Sequence, residues 1–454
     1  MQHFDAIVVG AGIAGLGTAG LLQKQGLKTL VLEKSRTPGG RAKTRILPGG
    51  WRVDSGTHCV DNGDRSACAD LLGRIGAEIG WSRPVQGLHV FDGDRWKGMT
   101  EYFNLSAAEL QQLTGLENSF APMTGNEIDR LDLVSLADFI KERGLSTAVA
   151  KYLKIMGMVQ TTLTDDKKIS AGEFVSIYRE GMQCGGGFGR LANVQMPLGG
   201  ISTMINAMAE ACNNPGCQIR LSAPLKKVRI DGEGVQLLVD SETLRAPAVV
   251  LALPIWQISG LVETDDTPLL RQWQERMYNL RDETSASMGF TIGTKRPLFT
   301  EPVYLSAWRL PDVGLPLQIL GHTNFDETVA PPGHMIAFIG APCTPAQARD
   351  EDFRKLTLER FWQTVKKMFP SVEDDLVWKV DGHYVGIDGL GRSPGLTGKY
   401  RPPVAMPGRQ GLYFAGDCFT GRGVGMNAAA NSAMLCAERI KADIAGLIEG
   451  SDRR

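Results

Sequence analysis

The residues in this chain best suited to chemistry form a glycine turn, Gly10-Ala11-Gly12-Ile13-Ala14-Gly15, and an acid, Glu33, 18 positions beyond it. In a G-x-G-x-x-G turn the first glycine permits a tight bend. The second lets the backbone approach a pyrophosphate, and the third lets a helix lie close against a strand. The start of that helix offers unpaired N–H groups and a partial positive charge to phosphate oxygens, and the acid is spaced to bind ribose hydroxyls. The chemistry implied is the binding of a dinucleotide, either FAD or a nicotinamide.

A glycine turn alone is weak evidence, so its meaning depends on the elements that hold it. Asp5-Ala6-Ile7-Val8-Val9 is a short apolar run suited to a parallel strand buried on both faces. Apolar residues then recur at helical spacing to Gln25, with Gly26 placed to end the helix, and a second strand from Lys28 to Leu32 leads to Glu33. Strand, turn, helix and acid occur in the order that the chemistry requires.

Composition narrows the field. A chain of 454 residues has room for at least two packed units. A net charge of −1 gives no field to gather nucleic acid. No apolar run reaches the roughly 20 residues needed to span a bilayer, and the opening residues lack the pattern of a secretory signal, so a cytoplasmic location is expected. Eight cysteines without a Cys-x-x-Cys pair point to reduced, packed thiols, Cys59 and Cys418 among them, and no metal site is expected.

Beyond Glu33 come Gly39-Gly40-Arg41 and Asp54-Ser55-Gly56-Thr57-His58, and near the other end Gly411-Leu412-Tyr413-Phe414-Ala415-Gly416-Asp417. With these pieces the chain resembles the flavin superfamily of the amine oxidases, protoporphyrinogen oxidase and the phytoene desaturases. Met196-Pro197-Leu198-Gly199-Gly200, and the runs Ala223 to Ile230 and Ala246 to Pro254, resemble further elements of it, the last two as adenine-side strands. The resemblance implies FAD, with Arg41 on a phosphate, Asp417 near the ribityl or phosphate region and Val228 at the adenine. A helix from Met426 to Ile440 would face the isoalloxazine with its N-terminus. The implied cofactor set is Gly10, Gly12, Ala14, Gly15, Glu33, Lys34, Gly40, Arg41, Gly56, Thr57, His58, Val228, Gly416, Asp417, Gly425 and Met426.

The fold expected is α/β, a Rossmann-like FAD-binding domain with an interleaved α+β substrate domain. The former is assembled from residues 1–60, 190–260 and 400–454, the latter from 61–189 and 261–399. The segment 61–189 reads as mostly helical, with Ser135 as an N-cap. Ser287 to Gly293 and His334 to Ile339 read as strands. Leu358, Phe361, Val365 and Met368 form a core-facing helical stripe until Pro370. The Cys184 to Gly189 loop reads as a flexible connection, the alternative being a backbone approach to substrate or cofactor.

Candidates for direct participation are His58, Asn427, His383 and Tyr384, while Arg422 reads as an exposed loop arginine. Two departures argue against an ordinary amine oxidase. The lysine that the amine oxidases place near the flavin falls here at Met288 or Gly289, and a tyrosine of their aromatic cage falls near Met426. Gly423-Val424-Gly425-Met426-Asn427 looks more like the protoporphyrinogen oxidase pattern. The expected activity is removal of hydride from a C–H bond of an apolar small molecule, forming C=C or C=N, with oxygen or a quinone as electron acceptor. Peripheral membrane contact would accompany a lipophilic substrate. The alternatives are a flavin amine oxidase, a redox-neutral double-bond isomerase, and a flavin-free binding protein of the GDP-dissociation-inhibitor type.

Overall fold

The computed structural model describes residues 3–56, 59–188, 193–231, 234–263, 267–308 and 314–451. Its centre is a parallel sheet of five strands in the spatial order Leu412–Phe414, Ala248–Leu251, Ala6–Val9, Thr29–Leu32, Cys217–Arg220. Ala6 sits opposite both Ala248 and Thr29, and the register continues without a shift through Val9. The inner strands are buried at every residue, which is why they read as unbroken apolar runs rather than alternating ones. Ala246 to Pro254 therefore departs from its reading as an adenine-side strand. Its core, Ala248–Leu251, is a central strand beside Ala6–Val9, because an apolar run of this kind needs cover on both faces.

One face of this sheet carries the helices Ile13–Lys24, Ala67–Ile75, Ile201–Cys212 and Met426–Ser451, which share a core through Leu16, Leu71, Met204 and Ala433. Against the other face packs a four-stranded sheet containing Leu225–Asp231 and Gly234–Val239, with helix Pro268–Leu280 beside it. Gly10 and Gly15 make the glycine turn possible. Gly10 holds φ at 105°, and a Cβ on it would lie 2.6 Å from the Ala252 carbonyl oxygen. A Cβ on Gly15 would lie 1.8 Å from the carbonyl oxygen of Gly10, so strand and helix can approach only without one.

The second body is a seven-stranded sheet in the order Leu376–Leu390, Thr284–Thr294, Met335–Cys343, Leu317–Gly321, Tyr304–Ala307, Leu88–Phe91, Trp96–Gly98. Helix Glu351–Met368 packs on it, with Phe361, Val365 and Met368 buried and Leu358 partly so. Among the described residues of 61–189, seven helices, Ala67–Ile75 among them and Ala171–Gln183 the last, occupy most of the segment, and Ser135 caps Leu136–Glu142 by accepting from the Asp138 N–H at 3.0 Å. The two short strands Leu88–Phe91 and Trp96–Gly98 interrupt that helical segment. At four and three residues they are too short for an alternating pattern to stand out.

Replacing Gly15 with valine is expected to lower stability by about 1–3 kcal/mol or more, through overpacking against the Gly10 carbonyl. Gly73, exposed on helix Ala67–Ile75 with no atom within 4 Å of its ideal Cβ position, provides the contrast. Gly73→Ala should stabilise by roughly 0.5–1 kcal/mol. Urea denaturation midpoints of the two variants check the pair, and a Gly15→Val midpoint equal to wild type would refute the packing account.

Candidate functional site

The parallel sheet ends at a cleft of about 600 Å³. Gly10, Gly12, Ala14, Glu33, Lys34, Gly40, Arg41, Gly416, Asp417, Gly425 and Met426 line it. Helix Ile13–Lys24 opens onto this cleft, and no side chain caps its start at Gly12, so its first N–H groups face the space. Glu33 is 6% exposed; one carboxylate oxygen accepts from the Ala11 N–H and the other from the Ser35 N–H, both at 2.9 Å. The acid thus pins the glycine turn to the end of the second strand.

Arg41 reaches across the cleft. Its Nη2 donates to Asp417 at 2.5 Å and its Nη1 to the carbonyl of Gly386 at 2.9 Å. Burial opposes the charge on Arg41, but Asp417 outweighs it and raises the guanidinium above its ordinary pKa. The other Asp417 oxygen accepts from the Gly389 N–H at 2.6 Å. An uncapped helix start, a fixed acid and a guanidinium still 40% exposed in the cleft are the groups that a dinucleotide's diphosphate and ribose need.

Three other expected contacts lie elsewhere. Gly15 stands behind the turn, where its role is packing. Val228 is fully buried, and its N–H donates to the Leu261 carbonyl within the four-stranded sheet. The cleft wall on that side is made instead by Ala223, Pro224 and Leu225, because the strand enters the core before it reaches Val228. Gly56 lines the adjoining cavity rather than the cleft. Thr57 and His58 lie outside the described residues.

That adjoining cavity, of about 230 Å³, shares Ile387, Gly425 and Met426 with the cleft. Leu88, Met156, Val159, Ile177, Leu320 and Phe338 give it apolar walls. Gly187 also lines it, so the glycine loop after helix Ala171–Gln183 is part of the cavity wall as well as a connection. Asn427 lines it too, with both ends of its amide engaged: Nδ2 donates to the Asp61 carbonyl at 2.8 Å, and Oδ1 accepts from the Cys68 N–H at 3.3 Å. Asn427 ties the start of the C-terminal helix to the loop at Asp61.

His383 and Tyr384 do not reach this cavity. His383 is exposed on the edge strand Leu376–Leu390, opposite Met288, and lines neither large space. Tyr384 borders a smaller void of about 60 Å³ with Gly56 and Ser287. Ser287, its partner across the strands, lines both that void and the cavity, so Tyr384 stands one residue removed from the cavity wall. Arg422 is not an exposed loop residue. It pairs with Asp129 at 2.7 Å and Asp132 at 2.6 Å, and its side chain is 23% exposed. Cys59 lies 2.9 Å from the Tyr304 hydroxyl, and burial, then Asp61, pushes its thiol up to about 12. Burial likewise raises Cys418 to about 12.

Met288 is buried in the core of the seven-stranded sheet. A Cβ on Gly289 would lie 2.2 Å from the Ile339 carbonyl oxygen. Neither position offers a nitrogen to the site.

The cavity also holds carboxylates that sequence reasoning missed. Asp388 takes three donors on one oxygen: Thr162 at 2.5 Å, Arg392 at 3.0 Å and Ser285 at 3.4 Å. Burial opposes its ionisation, but Arg392 and Thr162 hold its pKa below the ordinary carboxylate range. Asp61 faces the same cavity. Burial raises it to about 6, with Arg392 pulling down and Asp388 pushing up. Glu180 is raised to about 7 by burial and then by Glu173. Only the i,i+4 spacing of Asp388 and Arg392 hinted at a pair, and spacing alone does not show that a cavity passes between such distant segments.

Among the described residues no helix is long and apolar enough to cross a membrane. Prolycopene isomerase of Arabidopsis thaliana is 23% identical over 513 aligned residues, covering 97% of this chain and 83% of that protein. Phytoene dehydrogenase of Streptomyces griseus is 25% identical, with 96% and 94% covered. Among solved structures, an oxidoreductase from Methanosarcina mazei superposes with a TM-score of 0.77 at 18% identity, over 95% of this chain and 99% of that one. Putrescine oxidase bound to putrescine does so with a TM-score of 0.66 at 18% identity, over 97% and 99%. Residues 13–441 match the family model of the flavin containing amine oxidoreductases, and the chain belongs to that family as an FAD-dependent oxidoreductase.

Proposed function

We propose that this enzyme removes hydride from a C–H bond of an apolar small molecule, leaving a C=C or C=N bond, in the cavity that meets the cofactor cleft at Ile387, Gly425 and Met426. The observation that carries this reading is that junction: an apolar-walled cavity opens directly onto the end of the cleft where the C-terminal helix begins. FAD supplies the two-electron acceptor chemistry when bound. The start of helix Ile13–Lys24 and Arg41 would hold its diphosphate, Glu33 its adenosine ribose, and Leu225 would border its adenine end. Gly425 and Met426 would present the start of the C-terminal helix to the ring, where the helix dipole favours negative charge.

Met426 and the missing lysine at Met288 and Gly289 favour a C–H pair over a charged amine as substrate. The likeness to phytoene dehydrogenase along nearly the whole chain supports the same choice. The likeness to prolycopene isomerase favours one second reading, a redox-neutral shift of double bonds.

Arg41→Ala is expected to weaken FAD binding by roughly 10–100-fold, the cost of losing a charge-assisted hydrogen bond. Titration of deflavinated protein with FAD, followed by flavin fluorescence, measures it, and unchanged affinity would remove Arg41 from the cofactor site. For the reaction, phytoene, prolycopene and putrescine are each mixed anaerobically with the oxidised enzyme. Bleaching of the flavin by phytoene with a product two hydrogens lighter is the expected outcome. Conversion of prolycopene at unchanged mass would establish isomerisation, and bleaching by putrescine alone would establish amine oxidation. Reoxidation by air or by a quinone then identifies the acceptor.

A further inference from the structure

We propose that Asp61 is the catalytic base of the substrate cavity, taking the proton that leaves the substrate together with the hydride. This rests on the dehydrogenation reading above and adds a residue to it.

The geometry carries the assignment. Asp61 lines the cavity, and its backbone carbonyl is held by Asn427, the residue after Met426, which borders both the cavity and the cleft. Its position is thereby fixed to the helix start that faces the cofactor. Among the described residues no hydrogen bond reaches its carboxylate, whereas Asp388 across the cavity is saturated on one oxygen by Thr162, Ser285 and Arg392. One carboxylate is therefore locked in its ionised form as a fixed charge, and the other is left open to the cavity. Two acids whose surroundings separate their proton affinities divide the work in this way: the locked one stabilises positive charge, and the open one exchanges a proton.

Removing two hydrogens from a substrate releases a hydride and a proton. The first C–H bond breaks with both electrons going to FAD. The second C–H or N–H bond breaks with its electron pair becoming the new π bond, and its proton forms an O–H bond on Asp61. Solvent takes that proton before the next turnover.

The groups that act on Asp61 are Asp388 and Arg392 from the strand Leu376–Leu390 and the residues after it, and Cys59 and Tyr304 at its own end of the cavity. Glu180 of helix Ala171–Gln183 lines the same space. Cys59 and Tyr304 stay neutral at the pH of interest, since burial raises both. With Asp61 raised to about 6, the base form predominates at neutral pH, which is the condition for efficient proton removal.

The test uses the FAD-loaded enzyme and its Asp61→Asn and Asp61→Glu variants. The rate of anaerobic flavin bleaching by phytoene is followed from pH 5 to 8. The wild-type rate should rise through pH about 6 and then level, Asp61→Asn should lose roughly 100-fold or more together with that limb, and Asp61→Glu should restore the limb. Thermal melting provides a readout that needs no turnover. A carboxylate whose pKa is raised on folding destabilises the protein as pH rises from 3.8 to about 6, so Asp61→Asn should melt with wild type at pH 3.5 and above it at pH 7.5. A purely structural role for the side chain gives the opposite sign, a loss of stability at neutral pH, and overturns the proposal. So does an Asp61→Asn variant that bleaches at the wild-type rate with the same pH limb. Wild-type enzyme that rearranges prolycopene without flavin bleaching overturns the dehydrogenation reading and the base assignment together.

Discussion

A guanidinium at residue 41 and a carboxylate at residue 417 meet at 2.5 Å although 376 positions separate them in the chain. Much of the architecture serves that meeting. Arg41 hangs from the turn after the second strand, and Asp417 follows the last strand of the parallel sheet; the two strands are held in one sheet by Ala6–Val9 and Ala248–Leu251 between them. Asp417 is the more dependent partner: its side chain is 7% exposed against 40% for Arg41, so without the guanidinium a buried carboxylate keeps only the Gly389 N–H as the donor described above. The pair also engages the edge strand of the second sheet, since Arg41 donates to Gly386 and Gly389 donates to Asp417. One ion pair therefore joins the amino-terminal turn, the carboxy-terminal strand and the seven-stranded sheet at the point where the cleft and the cavity converge.

At the cleft, the first N–H groups of helix Ile13–Lys24 and the Arg41 guanidinium meet the space, as phosphate recognition requires. The cavity has aliphatic and aromatic side chains in its walls, and among the described residues its lining charges are the carboxylates of Asp61, Glu180 and Asp388, the last paired with the buried Arg392. Arg392 is 1% exposed and keeps its charge because Asp388, Glu173 and the carbonyls of Thr161 and Gly423 surround it. Low dielectric strengthens each of these interactions, and it is also what lifts Asp61. The same apolar walls tune the acids set among them.

The parts legible in the sequence were those with local rules. The glycine turn, Glu33 and the helix at Met426 follow from spacing, because each is a contiguous element whose geometry its own residues dictate. Val228 lies inside the four-stranded sheet and Leu225 at the rim of the cleft, since which residue of a strand meets a cleft depends on where the strand crosses its rim. His383 and Tyr384 sit on an edge strand whose outer face is open, and alternation alone does not say which side borders a cavity. Asp61 and Asp388 lie 327 positions apart and become a pair only through the sheet that brings them to one space. Arg422 looked like a surface residue because its partners Asp129 and Asp132 come from a distant helix end.

The Cβ position of Gly289 is filled by the Ile339 carbonyl and the Gly340 Cα of the facing strand, 2.2 and 2.6 Å away. A long cationic side chain can be accommodated at Gly289 only if the facing backbone withdraws, so any substitution there is coupled to the strand Met335–Cys343.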